Sequence, residues 1–156
     1  MEKIKKPVNT NSNETHATLS HDGESLYFVS DRDGGKGGKD IYKAKLMKDS
    51  TWGKVQILSS KINTSKDEAT PFITKDNTLY FSSKGHNTMG GYDIFYSKKD
   101  GSGNNWGKPE NIGYPLNTTK DDKYFAPVNN GKYGYIQLLR EEGYGEFDIY
   151  KITFEE

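Results

Sequence analysis

Apolar and polar residues alternate in short segments along this chain, and clusters of turn-forming residues separate the segments. In its middle third the alternation predicts four strands, at residues 69–73, 79–83, 92–97 and 108–112. Turn clusters divide them at residues 75–77, 85–91 and 100–105. No segment shows the 3.6-residue period of an amphipathic helix. The pattern therefore predicts an all-β chain of short strands joined by hairpins.

The pattern recurs at an interval of 54 residues. Asn-Thr pairs begin at residues 9, 63 and 117, and a Trp-Gly-Lys segment begins at residues 52 and 106. HDGESLYFVSDR in the first third matches KDNTLYFSSK in the second and, more loosely, NNGKYGYIQLLR in the last. Such self-similarity indicates a repeat architecture in which each unit buries its apolar face against the next.

Three 54-residue repeats, each a four-stranded antiparallel meander, are typical of a β-propeller. The single domain spans residues 1–156 and divides into the tail of an outer strand (1–10), blade 1 (11–62), blade 2 (63–116) and blade 3 without its outer strand (117–156). Since about four blades is the lower limit for a closed ring, we expect either part of a longer propeller or half of a six-bladed ring. In the second case a head-to-tail homodimer would pair residues 2–4 of one chain beside residues 147–153 of the other.

Composition and charge exclude several function classes. Lysine plus arginine and aspartate plus glutamate both number 22, so no net field attracts nucleic acid. No apolar stretch approaches the roughly 20 residues that span a bilayer, so we expect no direct membrane insertion. The chain has no cysteine, which excludes thiolate metal sites and cysteine nucleophiles. We expect no metal and no cofactor.

The segment DEATPFITKDNTLYFSSKGHNTMGGYDIFYSKKD, residues 67–100, resembles the TolB-type WD-like β-propeller repeat. It is similar in particular to the variant found in OmpA-family outer-membrane lipoproteins of the Bacteroidetes, some of them linked to type IX secretion. The resemblance covers all three repeats and is weakest in the third, where IQLL replaces the FSS run. It implies a periplasmic, outer-membrane-associated location and a protein partner in the cell envelope.

Side chains that recur in every repeat are expected to serve the scaffold, because a catalytic group is needed once per site. We predict that Asp40, Asp93 and Asp148 accept N–H bonds from the preceding loop. A second recurring set precedes the first strand of each repeat and comprises Glu14, Glu68 and Asp122. We expect these carboxylates to pair with basic residues after the second strands, and Trp52 and Trp106 to pack.

The basic residues after the second strands also suggest an anion site. In a closed ring Arg32, Lys84 and Arg140 would form a circle of cations able to attract carboxylates or sugar phosphates. Residues that break the repeat are stronger candidates for recognition, because they lie in loops and include aromatic side chains. They are His86, Asn87, Met89 and Tyr92 in the second repeat, and Glu141, Glu142, Tyr144 and Phe147 in the third.

The glycine-rich segment SDRDGGKGGKDIYK, residues 30–43, does not fit a known ligand loop. Asp33 and Asp40 stand where a phosphate-binding loop needs glycine and a hydroxyl. Gly35 and Tyr42 stand where a calcium-binding EF-hand loop needs an oxygen ligand and its final glutamate. We interpret its glycines as turn residues that Asp40 holds in place.

Catalytic motifs are absent from the sequence: it contains neither H-E-x-x-H nor G-x-S-x-G. We therefore expect no catalytic residues and a non-catalytic protein-interaction scaffold of the bacterial cell envelope. The alternative is a carbohydrate-binding or glycan-processing propeller module, with Tyr92 and Trp106 as sugar platforms.

Overall fold

A computed structural model describes residues 1–101 and 104–154. These residues form eleven strands in three antiparallel sheets and contain no helix, which confirms the all-β prediction. The predicted turn at 100–105 and the predicted end of the third repeat at 155–156 lie partly outside the described residues.

Each sheet is built from consecutive strands of one repeat. Sheet 1 contains β1 (Glu14–Leu19), β2 (Ser25–Ser30), β3 (Asp40–Leu46) and β4 (Trp52–Ile57), hydrogen-bonded in that order. Sheet 2 contains β5 (Glu68–Ile73), β6 (Thr78–Ser83), β7 (Asp93–Lys98) and β8 (Glu110–Asn111). Sheet 3 contains β9 (Lys123–Val128), β10 (Tyr133–Leu138) and β11 (Asp148–Thr153).

The first strand of every sheet carries a β-bulge that alternation alone does not reveal. Its pairing with the second strand shifts register near His16, Thr70 and Tyr124. These residues have φ angles of 46°, 47° and 61°, in a region that residues other than glycine rarely adopt. A bulge bends its strand and increases the local twist. The three sheets therefore share one distortion at one position of the repeat.

The apolar core lies between the sheets. Tyr27, Val29 and Ile41 of sheet 1 pack against Leu79, Phe81 and Phe95 of sheet 2, and similar residues fill the space between sheets 2 and 3. The other face of sheet 1 is covered by Val8. Val8, Ile62 and Leu116, spaced by 54 residues, are all buried. The segment that precedes each sheet thus packs on that sheet in the same way.

Candidate interaction surfaces

A threonine and an acidic side chain form the same hydrogen-bonded turn at the start of each sheet. The backbone N–H and hydroxyl of Thr64 donate to Glu68 over 2.9 and 2.7 Å. Thr10 donates to Glu14 over 3.0 and 2.7 Å, and Thr118 donates to Asp122 over 2.6 and 3.0 Å. The Asn-Thr spacing in the sequence is therefore the signature of this turn, a role that sequence reasoning did not assign.

The three aspartates at the start of the third strands bind the loops that precede them. Asp40 Oδ2 accepts from the N–H groups of Lys36 and Gly37 at 2.8 and 3.1 Å. Asp93 Oδ2 accepts from Met89 at 2.8 Å, and Asp148 Oδ2 accepts from Tyr144 at 2.8 Å. Each carboxylate therefore closes the hairpin between the second and third strands of its sheet.

The same hairpins join each sheet to the next repeat. Lys39 donates its N–H to Asp67 Oδ1 over 3.1 Å, and its carbonyl accepts from the N–H of Glu68 at 2.8 Å. Tyr92 makes the equivalent bonds, donating to Asp121 Oδ1 over 3.0 Å and accepting from Asp122 at 2.6 Å. We call this arrangement the inter-sheet joint.

A buried asparagine completes each inter-sheet joint. Asn63 accepts from the N–H of Ile41 at 2.8 Å and donates to its carbonyl over 2.9 Å. Asn117 makes the same pair of bonds with Ile94, at 2.7 and 2.8 Å. In the first joint the N–H of Leu58 also donates to the carbonyl of Ile41. In the second joint the N–H of Ile112 donates to the carbonyl of Ile94 in the same way. Backbone groups and short side chains thus supply these hydrogen bonds of the joint.

Close backbone approach explains the paired glycines in the hairpins. A Cβ atom on Gly37 would collide with the carbonyl oxygen of Lys66, and one on Gly38 would collide with Asp67. A Cβ on Gly90 or Gly91 would meet residues 119–121 in the same way. Of the glycines in residues 30–43 only Gly34 has a positive φ angle, 86°. The segment interpreted as turn residues therefore also contacts the next repeat.

The three basic residues expected to form a circle of cations in a closed ring each contact other groups of the chain. Arg32 donates to the carbonyl of Val8 over 2.6 Å and pairs with Glu14 at 3.1 Å. Arg140 donates to the carbonyl of Pro115 over 2.5 Å. The equivalent contact in the second repeat comes from His86, whose Nε2 lies 2.9 Å from the carbonyl oxygen of Ile62. Residues 32, 86 and 140 are spaced by 54, and this signal identifies His86 rather than Lys84 as their equivalent.

Lys84 instead contacts an aromatic ring. Its Nζ lies 4.6 Å from the centre of the Tyr92 ring, and the Nζ of Lys123 lies 4.1 Å from the same centre. Burial and the nearby carboxylate of Asp67 raise the pKa of the Tyr92 hydroxyl. Lys84 therefore makes a cation–π contact that adds to the second inter-sheet joint, and the described ion pairs include none between Lys84 and a carboxylate.

Carboxylates at the same position of the repeat have pKa values that are shifted in opposite directions. Burial raises the pKa of Glu68 above its ordinary value, despite hydrogen bonds from Thr64 and Ser83. Burial likewise raises the pKa of Asp122. For Glu14 partial burial also acts to raise the pKa, but hydrogen bonds from Thr10 and Ser30, with the charge of Arg32, lower it below the ordinary value. Only the first of these carboxylates has a guanidinium within 4 Å among the described ion pairs.

The remaining predicted binding residues differ in accessibility. Tyr92 and Trp106, the expected sugar platforms, are buried. Trp106 packs between sheets 1 and 2, whereas Trp52 is partly buried beside Val8 on the outer face of sheet 1. Met89, Tyr144 and Phe147 are exposed large side chains on the hairpins of sheets 2 and 3. Glu141, Glu142 and Asn87 are exposed on the same hairpins.

The described residues offer neither a candidate metal site nor a membrane-spanning helix. No group of three or more histidine or acidic side chains there is arranged to hold a metal ion. Within residues 1–101 and 104–154 there is also no helix with the length and apolar character to cross a membrane. Comparisons with known proteins give no assignment either: no protein-family model matches the chain, and no curated protein matches it.

Proposed function

We propose that this chain forms part of a β-propeller that acts as a non-catalytic protein-interaction scaffold in the bacterial cell envelope. The two inter-sheet joints support the propeller, because they repeat one docking geometry and a propeller is a series of such joints. The TolB-type resemblance supports the periplasmic, outer-membrane-associated location.

One contrast carries the proposed binding role. Recurring side chains at the two joints, such as Asn63 and Glu68, are buried. Side chains that differ between repeats, such as Met89 and Tyr144, are exposed on the hairpins. Exposed aromatic and flexible side chains on loops held by a rigid scaffold suit partner contact. The partner of this surface is a protein of the cell envelope.

Site-specific photo-cross-linking tests the proposal. A photoreactive amino acid replaces Tyr144 in one protein and Lys48 in a control; Lys48 is exposed on the hairpin at the opposite end of sheet 1. In envelope preparations from the bacterium that encodes the chain, the Tyr144 probe should give one discrete protein adduct and the Lys48 probe none. Identical patterns from both probes, or fractionation of the chain with the cytoplasm, would contradict the proposal.

A glycan array separates the proposal from its alternative. The scaffold predicts no binding to any oligosaccharide. The carbohydrate module predicts a defined ligand, although both of its expected platforms, Tyr92 and Trp106, are buried. Oligosaccharide binding that is lost in Tyr144→Ala would favour the alternative over the scaffold.

A further inference from the structure

The outer face of sheet 3 has the composition of an inter-sheet joint but is not covered by any described residue. Ile41 and Ile94, which the next repeat covers, are 0% and 1% exposed, whereas the equivalent Ile149 is 75% exposed. Tyr135 is also exposed, although its counterparts Tyr27 and Tyr80 are buried. Exposed apolar surface of this kind marks an interaction site.

The complementary half of a joint lies on sheet 1, at the opposite end of the series of three sheets. Leu19 of β1 is 51% exposed, whereas the equivalent Ile73 of β5 is 5% exposed. Ile4 is exposed, whereas the equivalent Leu58 is buried. The strand β1 therefore presents to solvent the surface that β5 presents to sheet 1.

We propose that these two faces bind each other between two copies of the chain, arranged head to tail. The side chain of Asn9 in one copy pairs with the N–H and carbonyl of Ile149 in the other, as Asn63 pairs with Ile41. The N–H of Glu14 donates to the carbonyl of Phe147, as Glu68 donates to Lys39. This inference rests on the propeller arrangement proposed above but not on the envelope partner.

The donor and acceptor groups are already oriented for these bonds. Asn9 Nδ2 donates to the carbonyl of Ile4 over 2.7 Å, as Asn63 Nδ2 does to Leu58 over 3.1 Å. Asn13 uses its Nδ2 to bond Asp31, so its Oδ1 is the acceptor that remains for the N–H of Phe147. Preorganised groups reduce the ordering cost of association.

The contact is heterologous, because a different face is used on each copy. Two copies that close on each other bring together six sheets, three from each, a number within the usual range of four to about eight blades for propellers. Closure buries both outer faces at once.

Gly145 provides a sharp test. Its counterparts Gly37 and Gly90 contact the next repeat so closely that a Cβ would collide, whereas a Cβ on Gly145 meets nothing within 4 Å. Gly145→Ala should therefore leave each copy folded but block the joint. Ile149→Asp should do the same by placing a charge in an apolar contact.

Light scattering coupled to size exclusion measures the result on the purified chain. The wild-type protein should have twice the mass of one copy at high concentration, and Gly145→Ala and Ile149→Asp should each have the mass of one copy. Met47→Asp, a change at an exposed side chain on the hairpin between β3 and β4 and outside the joint, is the matched control and should remain dimeric. Circular dichroism confirms that every variant is folded.

Mixing variants tests the head-to-tail orientation. Ile149→Asp disables the outer face of sheet 3, and Leu19→Asp disables the face of β1. In a mixture, the intact β1 face of the first variant can still bind the intact sheet 3 face of the second. We expect dimers in the mixture and none in either protein alone. A wild-type protein that is monomeric at every concentration, or a dimer that persists in both Gly145→Ala and Ile149→Asp, would overturn the inference. Because the assay contains only this protein, that result would leave the Tyr144 cross-linking outcome unaffected.

Discussion

Glu14 and Glu68 occupy one position of the repeat and accept hydrogen bonds from equivalent threonines, yet their pKa values shift in opposite directions. The cause is their surroundings. Glu68 is buried in the first inter-sheet joint, whereas Glu14 begins the uncovered strand β1 and pairs with Arg32. Desolvation disfavours the charged form, and a neighbouring cation favours it.

These opposite shifts predict opposite pH dependences. The folded-state pKa of Glu68 lies above its value in the unfolded chain, so the stability it contributes is present below the unfolded pKa and is lost as pH rises through the folded pKa. Glu14 contributes stability above its unfolded pKa, which is lost as pH falls through the folded pKa.

Urea unfolding of the wild type, Glu68→Gln and Glu14→Gln across the acid range checks both signs. With rising pH, the free energy of unfolding of the wild type minus that of Glu68→Gln should fall. The difference for Glu14→Gln should rise. Differences that change in the same direction would contradict the electrostatic contrast between the two positions.

A second residue-scale prediction concerns the asparagines. Asn63→Ala leaves the buried N–H of Ile41 without its partner and removes one of the two hydrogen bonds to the Ile41 carbonyl. An unsatisfied buried group costs about 1–3 kcal/mol. Asn9→Ala removes the bond to the carbonyl of Ile4, which is exposed. Chemical denaturation of the monomer should therefore show a much larger loss of stability for Asn63→Ala. Equal losses would indicate that the hydrogen bonds of Asn63 in the first inter-sheet joint are not a main source of stability.

The repeat spacing gave some residue roles correctly and misassigned others. The aspartates at positions 40, 93 and 148 follow from their recurrence beside glycine-rich loops. Lys84 was grouped with Arg32 because both follow a second strand closely, but Lys84 is the first residue after its strand and Arg32 is the second. The 54-residue spacing indicates His86, and the contact with the Ile62 carbonyl agrees with it. Chemical similarity was thus a weaker guide than position.

At the scale of elements, the hairpin between the second and third strands has two tasks. It reverses the chain, and its paired glycines allow the next repeat to approach. Because glycines that admit a neighbouring backbone look the same in sequence as glycines that form turns, only the structure separates the two tasks. Alternation located β5, β6 and β7 to within one residue at each end. The fourth strand of the second repeat is shorter than predicted, two residues, with a separate bridge between Lys99 and Trp106.

Alanine substitution distinguishes the two kinds of glycine. Gly37→Ala places a methyl group against the carbonyl of Lys66, and such overpacking costs about 1–3 kcal/mol. Gly145→Ala, measured at a concentration where the protein is monomeric, should leave the midpoint of thermal unfolding nearly unchanged. A loss in Gly145→Ala as large as that in Gly37→Ala would show that hairpin conformation, and not contact with the next repeat, requires glycine.

At the scale of the whole molecule, the three sheets differ in how much of their surface is buried by neighbouring repeats. Sheet 2 lies between sheets 1 and 3 and all side chains of β6 are buried, whereas most side chains of β1 and every second side chain of β11 are exposed. Such differences in cover produce differences in local opening. Sequence alone predicted three similar units, but not which faces remain uncovered, because burial depends on what packs on each unit.

Hydrogen exchange followed by mass spectrometry should reveal this gradient. We expect the slowest exchange in β6 and β7 and faster exchange in β1 and β11. Raising the protein concentration should slow exchange in β1 and β11 selectively, since the proposed head-to-tail contact covers both. Exchange in β11 as slow as in β6 at low concentration would contradict the gradient.

The inter-sheet joint also has an evolutionary consequence. Its hydrogen bonds come from backbone groups and from short side chains that recur every 54 residues, so each repeat carries both halves of the contact. A gene that gains or loses one repeat through unequal recombination would therefore encode a protein whose new junction already fits. Selection could then act on the exposed hairpin side chains alone, and the number of repeats could change faster than the contact that holds them together.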